Sequence, residues 1–366
     1  MCFHRRTFST LLASAAGMAL LAGSLAAAQA AAPKKLVLLI NGTQGDKSFF
    51  DSAAHGFALI KAKYGDAVTT KVIEMSYDQS KWQATMEDVA AQDWDLIVTG
   101  TYQMTDIVTQ VAPENPTKTF VIYDAAMDYG KGEFKNVYSI TYKQNEASYL
   151  AGMMGQGLIK AGTIQGSSLG FLGGLDIPVI NDFLTGYVAG AQAVDPAAKV
   201  AVSYIGSFSD AAKGKELALA QYRTGTAIGF NVAGQAGLGQ LAAAKETGKY
   251  AIGVDSDQSA VFRANDPATA DRVVTSVLKR VDISLLRAVD MMEANKLPVG
   301  HEESLGLADG AVGIVENDVY EKMVSADLRA RIAQASSDIA AGKVKVPSAL
   351  GMSTGDLQAL RAKIRP

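Results

Sequence analysis

Short continuous apolar runs recur along the chain and alternate with longer amphipathic stretches. The first run is Leu36–Ile40, and the stretch at 48–64 that follows it predicts a helix. An apolar run this short, without polar alternation, is typical of a strand buried on both faces of a parallel sheet. The alternation of strand and helix predicts a doubly wound α/β sheet with right-handed crossovers. Further strands are predicted at 72–75, 96–99, 120–123 and 137–140, with helices at 80–91 and 103–112.

The same order of elements restarts after residue 140, although the sequence itself does not repeat. A helix is predicted at 146–160, and an amphipathic helix ends near Met292. About 336 residues after the first thirty exceed what one core normally supports, so we expect two lobes, which would close on a ligand by hinge motion. Strands in this half are predicted at 169–172, 200–205, 227–232, 250–254 and 273–276.

We predict which segments build each lobe. The first lobe takes 35–142 and 276–304, and the second takes 143–275 and 305–345. A tail at 346–366 remains, and residues 340–366 look like a strand followed by a polar helix.

Residues 1–30 have the composition of a cleavable signal peptide. They combine a basic start at Arg5 and Arg6, a short apolar run at 11–22 and the small-x-small pattern of Ala28–Ala30. No later segment approaches about 20 unbroken apolar residues. We therefore expect a soluble periplasmic protein, exported by the Sec or the twin-arginine route. The single cysteine, Cys2, lies far from the cleavage site, so the usual lipoprotein anchor, a disulfide and a thiolate metal site are not expected.

Charge and histidine content narrow the function classes. The formal net charge is −3, and loss of Arg5 and Arg6 with the signal peptide would make it −5. A mildly acidic chain without a basic stripe argues against nucleic acid as a partner. His55 and His301 are too few for a typical zinc site, and neither has an evident serine or acid partner in the sequence. We expect no metal, no cofactor and no catalysis.

Two loops at predicted strand ends each carry an aromatic residue. Phe49 lies in the loop at 45–52, and Phe208 lies in the loop at 204–210. Ligands of open α/β sheets bind at the carboxyl ends of the strands. One ring from each half therefore predicts two rings that close on a flat ligand. The alternative is that either ring is a core residue, and one of Phe49 and Phe50 is expected to be.

Charged residues also follow the predicted strands. Asp124 and Asp255 each end a strand, where a carboxylate can accept hydrogen bonds from a ligand, although Asp124 could instead cap the next turn. Lys279 could pair with Asp255 or remain a solvated helix residue. Asp257 is a candidate helix cap, and Ser48 or Asp46 is the candidate cap of the first helix.

A glycine-rich turn opens the helix after the strand at 227–232. Its spacing, from Gly234 to Gly239, is G-x-x-G-x-G, which is the wrong order for the dinucleotide fingerprint. No lysine or arginine lies in the loop, so phosphate binding is not expected. We predict a tight turn whose backbone approaches the ligand at Gly234.

Six short motifs in register carry a resemblance to a known family. They are Gly45–Phe49, Glu146–Gly152, Gly170–Gly174 with Pro178–Ile180, Gly206–Lys215, Gly253–Gln258 and Thr275–Arg280. From about residue 36 to 345 the chain resembles the basic membrane protein family, the substrate-binding subunits of ABC importers similar to the purine nucleoside receptor. The resemblance implies a type I periplasmic-binding-protein fold, a purine nucleoside or base as ligand, and an ABC permease as partner.

The resemblance also implies roles for the candidate residues. Phe49 and Phe208 would stack on opposite faces of the purine, and Asp124 would bind the base. Independently of the resemblance, Asp255 at its strand end would accept two ribose hydroxyls, since a carboxylate accepts two such bonds well, and Lys279 could reach a ribose oxygen. Asn41 departs from the family, whose members often carry aspartate at this strand end. An amide both donates and accepts, so the identity of the base stays open.

Three alternatives remain open from the sequence. The same scaffold could bind riboflavin, another heterocycle or a sugar. A periplasmic nucleoside hydrolase is the second alternative, although Asp46 and Asp51 do not form its calcium-binding aspartate cluster. The third is a sensory receptor that feeds a membrane kinase. We expect a monomer.

Overall fold

The computed structural model describes residues 34–131 and 134–366, and the predicted signal peptide lies outside them. These described residues belong to one compact unit that contains two six-stranded sheets. No helix in the described part of the chain is long and apolar enough to cross a bilayer.

The first sheet is fully parallel. Its strands are β1 (Lys34–Ile40), β2 (Val68–Glu74), β3 (Leu96–Gly100), β4 (Thr119–Tyr123), β5 (Val137–Tyr142) and β11 (His301–Leu305). They lie in the order β11-β5-β4-β3-β1-β2. Leu36–Ile40 of β1 is fully buried because the strand has neighbours on both sides and helices on both faces, as its continuous apolar run predicts.

The second sheet repeats this order. Its strands are β6 (Ser168–Gly173), β7 (Val200–Tyr204), β8 (Thr226–Val232), β9 (Tyr250–Asp255), β10 (Val273–Lys279) and β12 (Val312–Ile314). They lie in the order β12-β10-β9-β8-β6-β7, and β12 alone is antiparallel to its neighbour. The predicted α/β class with two doubly wound halves is therefore confirmed.

Helices flank both sheets. They are α1 (Phe49–Tyr64), α2 (Trp82–Ala90), α3 (Thr105–Glu114), α4 (Gln144–Lys160), α5 (Pro178–Val194), α6 (Ala211–Arg223), α7 (Gly234–Thr247), α8 (Gln258–Arg263), α9 (Pro267–Ala270), α10 (Val281–Glu293), α11 (Asp318–Met323), α12 (Ala326–Ala340) and α13 (Thr354–Ile364). Helices α4 and α5 pack very closely. A Cβ at Gly152 would overlap the carbonyl oxygen of Tyr187, and one at Gly190 would overlap that of Tyr149. This close approach explains the glycine in the motif Glu146–Gly152.

Two sequence predictions need correction. The predicted lobe boundary between residues 275 and 276 divides β10, but β10 pairs with β9 and β12 up to Lys279. The chain therefore crosses to the first lobe after Lys279. No strand forms among the described residues 340–366, where irregular chain leads to α13. The rest of the predicted lobe division stays a prediction.

Candidate ligand-binding cleft

All seven predicted site residues line one cavity of about 100 Å³ between the two lobes. They are Asn41, Phe49, Asp124, Phe208, Gly234, Asp255 and Lys279. We call this cavity the cleft. Strand order reverses between β1 and β3 in the first sheet and between β6 and β8 in the second. The cleft lies at the carboxyl ends of these strands, where open α/β sheets bind ligands.

Asp46 shapes the loop that carries Phe49. Its Oδ2 accepts a hydrogen bond from the backbone N–H of Phe50 at 2.8 Å, and its Oδ1 accepts from Ser48 and Asp51. Asp46 is thus the side chain that caps α1. Burial raises the pKa of Asp46 to about 6, although these hydrogen bonds oppose the shift. The Ser48 hydroxyl is left free to bond elsewhere.

Phe49 and Phe50 have different environments. Phe50 is buried in the core, where its ring occupies the space that a Cβ at Gly42 would need. Phe49 is partly buried, and its ring centroid lies 5.5 Å from that of Tyr123. Phe50 is therefore the core residue of the pair, which leaves Phe49 available to the cleft.

Phe208 is held from two sides in the second lobe. Its partly buried ring lies against Gly174, where a Cβ would overlap the ring atoms Cδ1 and Cε1. Its carbonyl oxygen accepts a hydrogen bond from the N–H of Ala236 at 2.9 Å, in the first turn of α7. Gly234 opens this helix with a φ of +53°, a conformation that favours glycine. The predicted tight turn at Gly234 therefore places α7 beside the Phe208 loop.

We expect the substitution Gly174→Ala to lower ligand affinity at least fivefold, because the new methyl group displaces the Phe208 ring. The free energy of unfolding should change by less than about 1 kcal/mol, because a partly exposed ring can move aside. Gly313→Ala is a matched control, since nothing lies within 4 Å of a Cβ there. Titration calorimetry and urea unfolding measure the two effects. Equal affinities of the two variants would contradict the placement of Phe208 in the site.

Lys279 forms an ion pair with Asp124 across the cleft. The distance from its Nζ to Asp124 Oδ1 is 2.6 Å, and Lys279 is only 2% exposed. Two sequence alternatives for Lys279 are thus wrong, because it ends a buried strand and its ion-pair partner is not Asp255. Its Nζ also lies 4.9 Å from the ring centroid of Phe183 and 5.6 Å from that of Phe49, within cation–π range.

Asp255 lies at the end of β9 and bonds to the opposite lobe. Its carboxylate accepts a hydrogen bond from the Ser48 hydroxyl. Burial raises the pKa of Asp255 to about 7, with a smaller contribution from the negative charges of Asp46 and Asp124, while Lys279 and Ser48 oppose the shift. The neighbouring Asp257 caps α8 by accepting from the N–H of Ala260, as predicted.

The backbone at both cleft aspartates is strained. Asp124 has a φ of +59° and Asp255 has a φ of +63°. Such left-handed conformations of residues other than glycine cost of order 1–3 kcal/mol and concentrate at functional sites. The two residues occupy equivalent positions, at the ends of β4 and β9. Each lobe therefore has a strained aspartate at the corresponding strand end.

The buried charges of the cleft do not balance. Three carboxyl groups (Asp46, Asp124 and Asp255) face one ammonium group, that of Lys279, and burial raises the pKa of each of the three. No cluster within residues 34–131 and 134–366 is arranged to hold a metal ion. The excess of carboxylates favours a ligand with hydrogen-bond donors and disfavours a phosphate group.

Asn41 contributes an acceptor that the described protein atoms leave unused. Its Nδ2 donates to Thr101 Oγ1 at 2.8 Å, whereas its buried Oδ1 has no hydrogen-bond partner among the described residues. An unpaired buried carbonyl costs about 1–3 kcal/mol, so a donor on the ligand would recover this free energy.

Contacts between the lobes hold the cleft closed. In addition to the bonds of Asp255 and Lys279, the Ser256 hydroxyl donates to the carbonyl of Ser48, and Gln258 Nε2 donates to the carbonyl of Lys47. Asp255 and Lys279 line the cleft, and Lys47 and Ser256 line a neighbouring cavity that shares Asp255 with it. Opening of the lobes would break these hydrogen bonds, so lobe closure and the geometry of the cleft are coupled.

Sequence reasoning missed some residues of the cleft. Tyr102 follows β3, a position that the strand-end rule could have identified. Phe183 lies inside the apolar helix α5, where its spacing is that of any core residue. No acid partner for His55 was evident in the sequence, but the structure provides one. Asp282 Oδ2 lies 3.2 Å from His55 Nδ1, outside the cleft, and the sequence gives no sign of this contact because 227 residues separate the two.

Comparison with known proteins defines the class. Residues 33–348 match the family described as ABC transporter substrate-binding protein PnrA-like. The chain therefore belongs to this family of ABC transporter substrate-binding proteins, and the resemblance stated from the sequence is confirmed.

Individual relatives agree with this assignment. The chain is 31% identical to basic membrane protein A of Borreliella burgdorferi, over 86% of this chain and 88% of that protein. It is 32% identical to the ABC transporter nucleoside-binding protein BmpA of Lactococcus lactis, over 75% of this chain and 77% of the relative. A solute-binding protein of an ABC transporter system from Aeropyrum pernix has the same fold, with a TM-score of 0.77 and 23% identity over 91% of this chain and 97% of the other.

Proposed function

We propose that this protein binds a purine nucleoside or purine base between Phe49 and Phe208 and delivers it to an ABC permease. It acts in the periplasm after removal of the signal peptide, as a monomer and without chemistry of its own. The observation that carries the proposal is the cleft between the lobes, whose wall includes the partly buried rings of Phe49 from the first lobe and Phe208 from the second. The name of the Lactococcus lactis relative supports a nucleoside.

Stacking energy alone does not give tight binding. Base–aromatic stacking contributes about 1–3 kcal/mol per contact, so two faces give about 2–6 kcal/mol. A micromolar Kd needs about 8 kcal/mol. Polar groups must supply the remainder. In this proposal the unused oxygen of Asn41 and the carboxylates of Asp124 and Asp255 accept hydrogen bonds from the N–H groups of the base and from ribose hydroxyls.

Competition binding tests the ligand class. We expect inosine, guanosine or adenosine to compete at micromolar concentration, and riboflavin and ribose to compete at least a hundredfold more weakly. Nucleoside monophosphates should bind at least tenfold more weakly than their nucleosides, because a phosphate meets the uncompensated carboxylates. Ribose that competes as well as inosine would refute stacking.

Incubation with inosine should give stoichiometric binding without free hypoxanthine, whereas turnover would favour a nucleoside hydrolase.

We expect Asp255→Ala to separate nucleosides from bases. The affinity for a nucleoside should fall at least tenfold, because two ribose hydroxyls lose their acceptor, whereas the affinity for the free base should change less than threefold. Asp257→Ala is the control, since this side chain caps α8 and does not line the cleft. Calorimetry with a nucleoside and with its free base measures the change in affinity for each ligand. If the affinities for nucleoside and free base fall equally, Asp255 does not contact the sugar.

A further inference from the structure

A second cavity, of about 300 Å³, opens directly beside the cleft. It shares four wall residues with the cleft, namely Tyr102, Asp124, Ile177 and Val179. The two cavities are therefore neighbours with a common wall, and we call the second one the annex. Nothing in the proposed binding of a simple nucleoside uses the annex.

The wall of the annex is mostly apolar and held in place. Ala126, Pro178 and Leu350 contribute to it, and Leu350 is 51% exposed at its rim. The segment before Leu350 is tied down by Asp182, whose Oδ1 accepts hydrogen bonds from the Ser348 hydroxyl at 2.6 Å and from the N–H of Ala349 at 2.9 Å. A ligand group that covers Leu350 would remove exposed apolar surface from water.

One polar side chain in this wall has a hydrogen-bond acceptor without a partner among the described residues. Gln144 is 2% exposed, and its Nε2 donates to Asp182 Oδ2 at 2.6 Å. Because the Nε2 group is committed to this carboxylate, the Oε1 atom is directed elsewhere, and it has no hydrogen-bond partner among the described residues. Gln144 thus holds a buried acceptor without a protein partner in the wall of the annex.

Asp124 stands at the junction of the cleft and the annex. Its Oδ1 accepts from Lys279, and a carboxylate can accept more than one hydrogen bond. An exocyclic N–H group of a base could therefore donate to Asp124 while a substituent on the same nitrogen points into the annex. This geometry fixes which edge of the base would carry the substituent.

We propose that the annex binds an apolar substituent on the base edge that faces Asp124. The ligands of this protein would then include purine nucleosides with an alkyl or aryl group on an exocyclic nitrogen. This inference rests on the proposed function, since it takes the purine in the cleft as given. The four wall residues shared with the cleft, the mostly apolar wall and a volume of about 300 Å³ support it.

Calorimetry with adenosine and N6-benzyladenosine tests the inference. We expect the benzyl group to lower the Kd about tenfold in the native protein. Ala126→Leu fills the annex and should abolish this gain while the Kd of adenosine changes less than threefold. The control Ala264→Leu, at an exposed residue outside both cavities, should keep the gain. Leu350→Ala, at a half-exposed residue that folding does not need, should reduce the gain about threefold.

The outcomes separate failure of the annex from failure of the proposed function. If adenosine binds but the benzyl group weakens binding, or if the gain survives Ala126→Leu, the annex inference is overturned and the proposed function stands. If neither nucleoside binds, the proposed function fails, and crystals soaked with benzamide decide on the annex. Benzamide beside Gln144 in the native protein but not in Ala126→Leu would support an apolar subsite, and its absence from native crystals would overturn it.

Discussion

Replacement of Phe208 by alanine is expected to raise the Kd of a purine nucleoside at least tenfold. A tenfold change in Kd corresponds to about 1.4 kcal/mol, which lies within the about 1–3 kcal/mol that one stacking contact contributes to the bound state. The unliganded protein should lose less than about 1 kcal/mol of unfolding free energy, because the ring is partly exposed and lies at the cleft rather than in the core. Calorimetry and urea unfolding of the same preparation measure both quantities.

Two further phenylalanines provide controls for this variant. Phe50→Ala removes a buried ring and should cost about 3–5 kcal/mol of stability. Phe262→Ala removes a partly exposed ring that does not line the cleft and should leave affinity unchanged. If Phe208→Ala destabilises the unliganded protein as strongly as Phe50→Ala does, Phe208 is a core residue.

Lys279→Met should destabilise the protein by about 3–5 kcal/mol at neutral pH. The substitution removes the single ammonium group that faces Asp46, Asp124 and Asp255, and the Asp124 carboxylate is left buried without its ion-pair partner. Ligand affinity should fall as well, since carboxylate repulsion opposes closure of the lobes. Urea unfolding measures the stability loss, and Lys343→Met, at a largely exposed side chain, is the control.

The stability loss of Lys279→Met should grow with pH. In the native protein the pKa values of Asp46 and Asp255 are raised from 3.8 to about 6 and about 7. The folded state therefore binds more protons than the unfolded state between about pH 4 and 7, and its stability falls as the pH rises through this window. Loss of Lys279 removes an interaction that lowers the pKa of Asp255 and Asp124, so the penalty becomes larger at pH 8 than at pH 4.5. A loss that is equal at both pH values would contradict the charge imbalance.

Much of the fold could be predicted because its signals are local. The apolar run Leu36–Ile40 is buried on both faces of its sheet. A strand in this position appears in the sequence as a short continuous apolar run, and such a run was recognisable here. Strand ends are also visible in sequence, and they identified Asn41, Asp124 and Asp255 as neighbours of one cleft. The rule that ligands bind at the carboxyl ends of parallel strands thus grouped residues that lie far apart in the chain.

Contacts between the lobes could not be predicted in the same way. Asp124 and Lys279 are 155 residues apart, and Ser48 and Asp255 are 207 residues apart. The pattern of apolar and polar residues does not show which side chains contact each other between two lobes. The ion-pair partner of Lys279 could therefore not be predicted from the sequence. The predicted lobe boundary fell inside β10 for a related reason. A strand that leads to a crossing has the same apolar pattern as one that does not.

A crystal structure of the protein grown with inosine tests the central claim most directly. We predict hypoxanthine stacked between the rings of Phe49 and Phe208, with the ribose hydroxyls hydrogen-bonded to Asp255. Inosine bound elsewhere, or seated in the cleft with either ring turned away from the base, would contradict it.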